Sequence, residues 1–158
     1  MPSDLWSFTL DFYARPGIEQ ACLRLQGNGA NVCEVLCGVW LGMRGVSCCA
    51  ERLREIGQLA EPWHDDVVRP LRELRSQWKN DARHDATLAG LRERVKALEL
   101  EAERHLLARL QALTGDWSTG AVPNPNEWLT GLAGHAGENS RDALDELRAA
   151  AELMASDA

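Results

Sequence analysis

A chain of 158 residues with a hydrophobic fraction of 45% suits one domain, which buries roughly two-thirds of its unfolded surface without disulfides or metal. Its formal charge of −7 excludes broad, non-specific nucleic-acid binding, because that needs a basic face to displace counterions. The longest uncharged apolar run, Val35 to Met43, is about half the length that spans a bilayer, so no membrane segment is expected.

The opening segment, Leu5 to Arg15, fits two periods. Trp6, Phe8, Leu10 and Phe12 alternate as in a strand, while Leu5, Phe8 and Phe12 keep helical spacing. With no second strand to pair with, a helix capped by Ser3 or Asp4 is expected, ended by Pro16-Gly17. A second helix runs from Ile18 to Gln26 with Ile18, Cys22 and Leu25 on one face, and Gly27-Asn28-Gly29 stops it. Asn31 then caps a third helix, apolar on most sides through Val32, Val35, Leu36, Val39 and Trp40, which reads as the central core helix. Ser47 is placed to cap a fourth, short helix through Leu53 and Ile56.

Residues 61–80 give the clearest amphipathic pattern, with Trp63, Val67, Leu71, Leu74 and Trp78 spaced by 4, 4, 3 and 4. Pro70 lies within it and is expected to kink or split the helix, since it lacks a backbone donor. Residues 85–113 form one long helix in which Leu88, Leu91, Val95, Leu98 and Ala102 make a stripe that shifts to Leu106, Leu110 and Leu113. The seam is too short for an extended coiled coil and suits a helix packed along a bundle. Thr114 to Asn124 is a loop rich in Gly, Pro and Asn. Beyond it, Glu127 to His135 is helical despite Gly131, Gly134 and Gly137, each costing about 1 kcal/mol in a helix interior. Ser140 to Ala155 is an acidic amphipathic helix with Leu144, Leu147, Ala151 and Met154 on one side.

Charge is uneven along the chain. Residues 1–50 carry a net −1, residues 51–113 balance 12 basic against 12 acidic groups, and residues 114–158 carry a net −6. The start, Met1-Pro2-Ser3-Asp4-Leu5-Trp6, lacks the basic stretch of a secretory leader. Five cysteines, an odd number, read as reduced and buried thiols. A cytoplasmic location is therefore expected.

Several short runs occur in a fixed order: Leu5-Trp6-x-Phe8-x-Leu10, Tyr13, Pro16-Gly17, Ala21-Cys22-Leu23-x-Leu25-Gln26 and Trp40-Leu41. Trp63, Val67-Val68, Pro70-Leu71-Arg72 and Leu74-Arg75 follow. In these the chain resembles DUF2390, a proteobacterial family of small uncharacterised proteins, over about its first half. The resemblance implies a cytoplasmic bacterial helical protein with no assigned activity, cofactor or catalytic residues. Where the family pattern has a form like Gly-x-Asp-Val-Asn, this chain has Gly29-Ala30-Asn31-Val32-Cys33. The expected organisation is a core bundle over residues 1–113 carrying the resemblance, a loop at 114–124, and an acidic helical extension at 125–158 packed on the core.

Motifs of chemistry are sparse. Cys33 and Cys37 share a helix face, but that spacing is not a zinc knuckle, and Cys48-Cys49 cannot easily both point at one ion. His64, His84, His105 and His135 include no pair four apart and no His-Glu-x-x-His. No nucleophile elbow, phosphate-binding glycine loop or dinucleotide fingerprint occurs. No metal, cofactor or catalytic residue is expected.

The leading candidate surface is the basic edge formed by Arg69, Arg72, Arg75, Lys79 and Arg83, spaced 3, 3, 4 and 4 beside Trp78. Arg and Trp dominate binding hot spots, so this edge suits a protein partner of acidic character first, or else a phosphorylated ligand or a local piece of RNA. The competing reading is a solvated face whose charges are paired within the chain, each pair contributing under about 1 kcal/mol. All-α architecture of six to eight helices is expected, with a non-catalytic interaction or regulatory role. The alternative is an enzyme or small-ligand-binding protein with a pocket between helices that uses His64 as a base and Asp65 to orient it.

Overall fold

The computed structural model describes residues 4–156. Among them there are eight α-helices and no strand: α1 Leu5–Tyr13, α2 Ile18–Gly27, α3 Val32–Met43, α4 Ala50–Trp63, α5 Arg69–Gln77, α6 Ala86–Thr114, α7 Pro125–Asn139 and α8 Arg141–Ser156. The fold is all-α. A π-helical turn, His64–Val68, joins α4 to α5, and a short 3-10 turn, Asp81–Arg83, precedes α6.

The opening segment is helical because its helical face is the one that finds cover. Leu5, Phe8 and Phe12 are fully buried while Leu10, a member of the alternating set, is exposed. Asp4 caps α1 by accepting from the Ser7 backbone N–H at 3.0 Å, and Ser3, the other expected cap, lies outside the described residues. The Leu5 N–H donates to Gln111 Oε1 at 2.8 Å, which ties α1 to α6.

Helix α3 is the hub, as its apolar circumference requires. It is flanked by α7, α6, α1 and α4. Contact with α7 is so close that a Cβ at Gly42 would lie 2.4 Å from Pro125 Cα, so only glycine fits. Helix α8 packs on α2 and α7. Buried side chains from Leu5 through Trp128, Leu129, Leu147 and Ala151 belong to one contiguous apolar core.

Two expected boundaries are corrected. The short helix capped by Ser47 is instead a long one starting at Ala50, with Cys49 at its cap position and no side-chain cap. Residues before it are held out of the helix because the Val46 carbonyl accepts from the Trp128 indole at 2.8 Å and the Ser47 carbonyl from Arg52 at 2.7 Å. This helix then runs on to Gln77, so α4, the π turn and α5 form one rod, with residues 78–80 a turn.

Pro70 causes the irregularity without breaking the rod. It has no N–H to offer, and the backbone compensates by widening: Arg69 N–H bonds to the His64 carbonyl, five residues back. Pro62, in the last turn of α4, is a second proline inside the rod. Loop 114–124 is pinned to the end of α3 by Ala121 N–H to Gly45 O at 2.9 Å and Asn124 N–H to Gly42 O at 3.0 Å. Its Trp117 tucks in, stacked on Trp128 at 6.2 Å between ring centroids. Helix α7 runs past His135 to Asn139 but breaks at Gly134, whose φ of 52° suits glycine.

Beyond the bundle, α5 and the first half of α6 form an antiparallel arm. No residue of α5 is buried, and α6 buries none before Glu99.

Candidate functional site

The basic edge expected from the sequence separates into an occupied half and an open half. Arg75 Nε meets Glu99 Oε1 at 2.6 Å, and Arg72 reaches Glu99 and Glu103 at 3.3 Å each. Arg92, on the same side, donates to the Arg75 carbonyl at 2.9 Å. Glu99 is buried between these guanidinium groups and α6, so the charges of Arg72 and Arg75 are met inside the chain. Arg69 pairs with Asp65 at 2.6 Å one turn back. Trp78 is half-buried at the end of α5, and Lys79 and Arg83 are exposed at the tip of the arm.

The pairing of His64 with Asp65 does not form. Asp65 turns outward to Arg69, while His64 faces inward and lines a cavity beneath the π turn. Burial, together with the Arg72 and Arg69 charges, holds the His64 pKa below the ordinary imidazole value. His64, Val68 and Arg72, spaced four residues apart along the rod, line one wall.

That cavity encloses about 140 Å³ and is shared among α1, α3, α6 and the rod. Trp6 and Tyr13 come from α1, Val32, Cys33 and Leu36 from α3, and Leu100, Glu103 and Leu107 from α6. Most of the wall is apolar. Trp6 is held against α6 by Arg104, whose guanidinium carbon sits 4.9 Å from the ring centroid.

Two of the polar side chains in the wall have no partner within the protein. Thr9 is 3% exposed and Asn31 is 9% exposed, and neither Thr9 Oγ1 nor Asn31 Nδ2 has a hydrogen-bond partner. The Asn31 amide cannot turn to escape this. Its Oδ1 caps α3 by accepting from the N–H of Cys33 at 3.1 Å and of Glu34 at 3.4 Å, which fixes the NH2 end as the leftover donor. Unmet buried polar groups of this kind cost about 1–3 kcal/mol each.

The ionisable groups around the cavity favour neutrality. Burial raises the Glu103 carboxyl above its usual range, against the partial opposition of Arg72. The Tyr13 phenol is pushed up by burial, as is Cys33, whose Sγ lies 3.9 Å from the Glu103 carbonyl. Cys22 is pushed up to about 12 by burial, and burial raises Cys37 too, so none of these thiols is a ready thiolate. The expectation of buried thiols holds for Cys22, Cys33 and Cys37; Cys48 is half-buried and Cys49 exposed, because they lie where the chain enters α4. Among the described residues no cluster of three or more His, Cys, Asp or Glu is arranged to hold a metal. Larger clefts, such as that between α7 and α8 lined by His135, Glu138 and Arg141, open broadly to solvent.

Sequence patterns found His64 but passed over Thr9 and Asn31. Thr9 carried a signal: it follows Leu5 by four residues on the buried face of α1, where a hydroxyl has no solvent. Asn31 was legible only as a cap, because the direction of its free amide end depends on which elements surround it.

A family described as "protein of unknown function (DUF2390)" matches residues 4–110, and the chain belongs to that family. No curated protein and no solved structure matches. The cavity residues, Trp6 to Leu107, all lie inside the matched stretch, while α7 and α8 lie outside it.

Proposed function

We propose that this protein binds a small, uncharged molecule in the cavity between α1, α3, α6 and the π turn. One observation carries this: Asn31, whose amide donor is locked in place by its capping role, and Thr9, whose hydroxyl also has no partner within the protein, both line a mostly apolar chamber. A chamber of 140 Å³ is close to the size that accepts a single benzene-like ring, about 150 Å³. Its wall therefore suits a ring-sized body bearing one hydroxyl or carbonyl oxygen, which accepts from Asn31 and exchanges a hydrogen bond with Thr9. Charge is disfavoured, since the wall is mostly apolar and its one guanidinium, Arg72, is already engaged by Glu99 and Glu103.

This reading is preferred to the basic edge because the central arginines of that edge are already paired. It takes over from the alternative suggested by the sequence the pocket and His64, without Asp65.

Phenol, benzene and benzoate separate the terms. In amide and methyl NMR titrations, phenol is expected to give saturable shifts at Thr9, Asn31, Val32 and Leu36, benzene weaker ones, and benzoate none. Asn31→Ser keeps a capping oxygen but removes the amide donor, so phenol affinity should fall about five- to tenfold, the worth of one neutral hydrogen bond. Absence of saturable shifts from phenol, or equal affinity in Asn31→Ser, contradicts the proposal and leaves water as the occupant.

A further inference from the structure

The arm exposes the apolar stripe that a bundle helix would bury. Leu91 and Leu98 of α6 are 42% and 51% exposed. Beside them a shallow groove between α6 and the rod is lined by Trp63, Val67, Pro70, Leu71, Leu98 and Ala102. Two antiparallel helices with one apolar side open to water are half of a four-helix arrangement. The charges flanking the stripe point to what covers it.

Assigning Leu88, Val95 and Ala102 to one seam position and Leu91 and Leu98 to the other defines a heptad over this half of α6. One flank, Arg92 and Glu99, is spent on α5 through the Arg75 carbonyl and the Arg75 guanidinium. The other flank holds Arg94 and Glu101, seven residues apart and of opposite sign, both exposed. Glu101 lies 3.9 Å from His105, one turn on in the same helix.

When two such helices cross antiparallel, like flanks come together. An axis passing between Val95 and Leu98 sets Val95 over Leu98, and the same register sets Arg94 of each copy beside Glu101 of the other. A single helix therefore carries both halves of a complementary charge pattern. Net charge agrees: residues 51–113 are neutral, while residues 1–50 and 114–158 are acidic, so two copies repel least along this segment.

From this geometry we infer that the protein self-associates through the Leu91–Leu98 face of α6, as an antiparallel two-fold dimer with reciprocal Arg94–Glu101 pairs. The contact is small. A stretch of 18 residues, Leu88 to His105, is about 27 Å of helix, and a face of that length and roughly two helix diameters wide lies at the low end of stable interfaces. The dimer is therefore expected to form with rising concentration, in the tens of micromolar, rather than to be permanent.

Sedimentation equilibrium of the full chain from about 1 μM to 1 mM tests it. Wild type should pass from monomer to dimer across that range. Leu98→Glu should remain monomeric with an unchanged far-UV CD spectrum. Arg94→Glu and Glu101→Arg, each turning two attractions into two repulsions, should weaken the dimer about tenfold, and the double variant Arg94→Glu/Glu101→Arg should restore it. A wild-type monomer at 1 mM, or a dimer that survives Leu98→Glu, overturns the interface. Failure of the double variant to regain affinity overturns the register.

Discussion

The two ends of α6 carry the same kind of apolar stripe and meet opposite fates. Its second half, from Ala102 through Leu106 and Leu110, is sealed by α1, α3 and α4. Its first half, with Leu88, Leu91, Val95 and Leu98, meets α5 and the short turns on either side of it and buries nothing before Glu99. Periodicity therefore specified the helix in both places, whereas burial was decided by how many neighbours the chain could bring to each half. At the junction sits a network of Arg72, Arg75, Glu99 and Glu103, with the cavity directly behind it.

Truncation should reveal the contrast most strongly. Leu110→Ala, at a fully buried site, is expected to cost about 3–4 kcal/mol in urea unfolding. Leu91→Ala, at 42% exposure, should cost well under about 1 kcal/mol in the monomer. Equal costs would mean that the arm is as tightly packed as the bundle.

Within the bundle, Glu34 is buried beside Glu61, and burial lifts its pKa to about 7, with the Glu61 charge adding to the effect. A carboxyl whose folded pKa lies above its unfolded value stabilises the fold below about pH 4.5, and that contribution is lost as pH rises through 7. Glu34→Gln should therefore be more stable than wild type at pH 8, by roughly 2–3 kcal/mol, with the difference vanishing near pH 4. A pH-independent difference between the two would show that Glu34 is solvated in the folded state.

At the junction, Glu99→Gln removes the carboxylate shared by Arg72 and Arg75. Both arginines are partly exposed, at 20% and 25%, so the loss should be about 1–2 kcal/mol rather than that of a fully buried pair. Hydrogen exchange should rise in α5 and the first half of α6 while α3 stays protected. Uniformly faster exchange would show that the arm and the bundle unfold together.

A second stabilising change is expected in the cavity wall. Thr9→Val replaces an unpartnered buried hydroxyl with a methyl of similar shape and should stabilise the protein by about 1 kcal/mol. A loss of stability would show that the hydroxyl is satisfied in solution.

Much of this architecture could be read from spacing alone: the central role of α3, the caps at Asp4 and Asn31, and the long α6 all follow from local patterns. The start of the fourth helix at Ala50 could not, because it depends on Trp128, 82 residues away from Val46, holding residues 46–49 out of the helix. Likewise Arg72 and Arg75 looked like a free basic edge because their partners, Glu99 and Glu103, lie beyond a turn in the chain. The cavity was hidden for the same reason. Thr9, Asn31 and His64 are separated by more than 20 residues in sequence, and only the packing of α1, α3 and the π turn gathers them.

Diffraction from a crystal soaked in phenol probes ligand binding at the atoms concerned. One ring seated between Trp6, Tyr13 and Leu36, its oxygen within hydrogen-bond distance of Asn31 Nδ2, is the expected result. A chamber holding only water hydrogen-bonded to Thr9 and Asn31 at saturating phenol would contradict it.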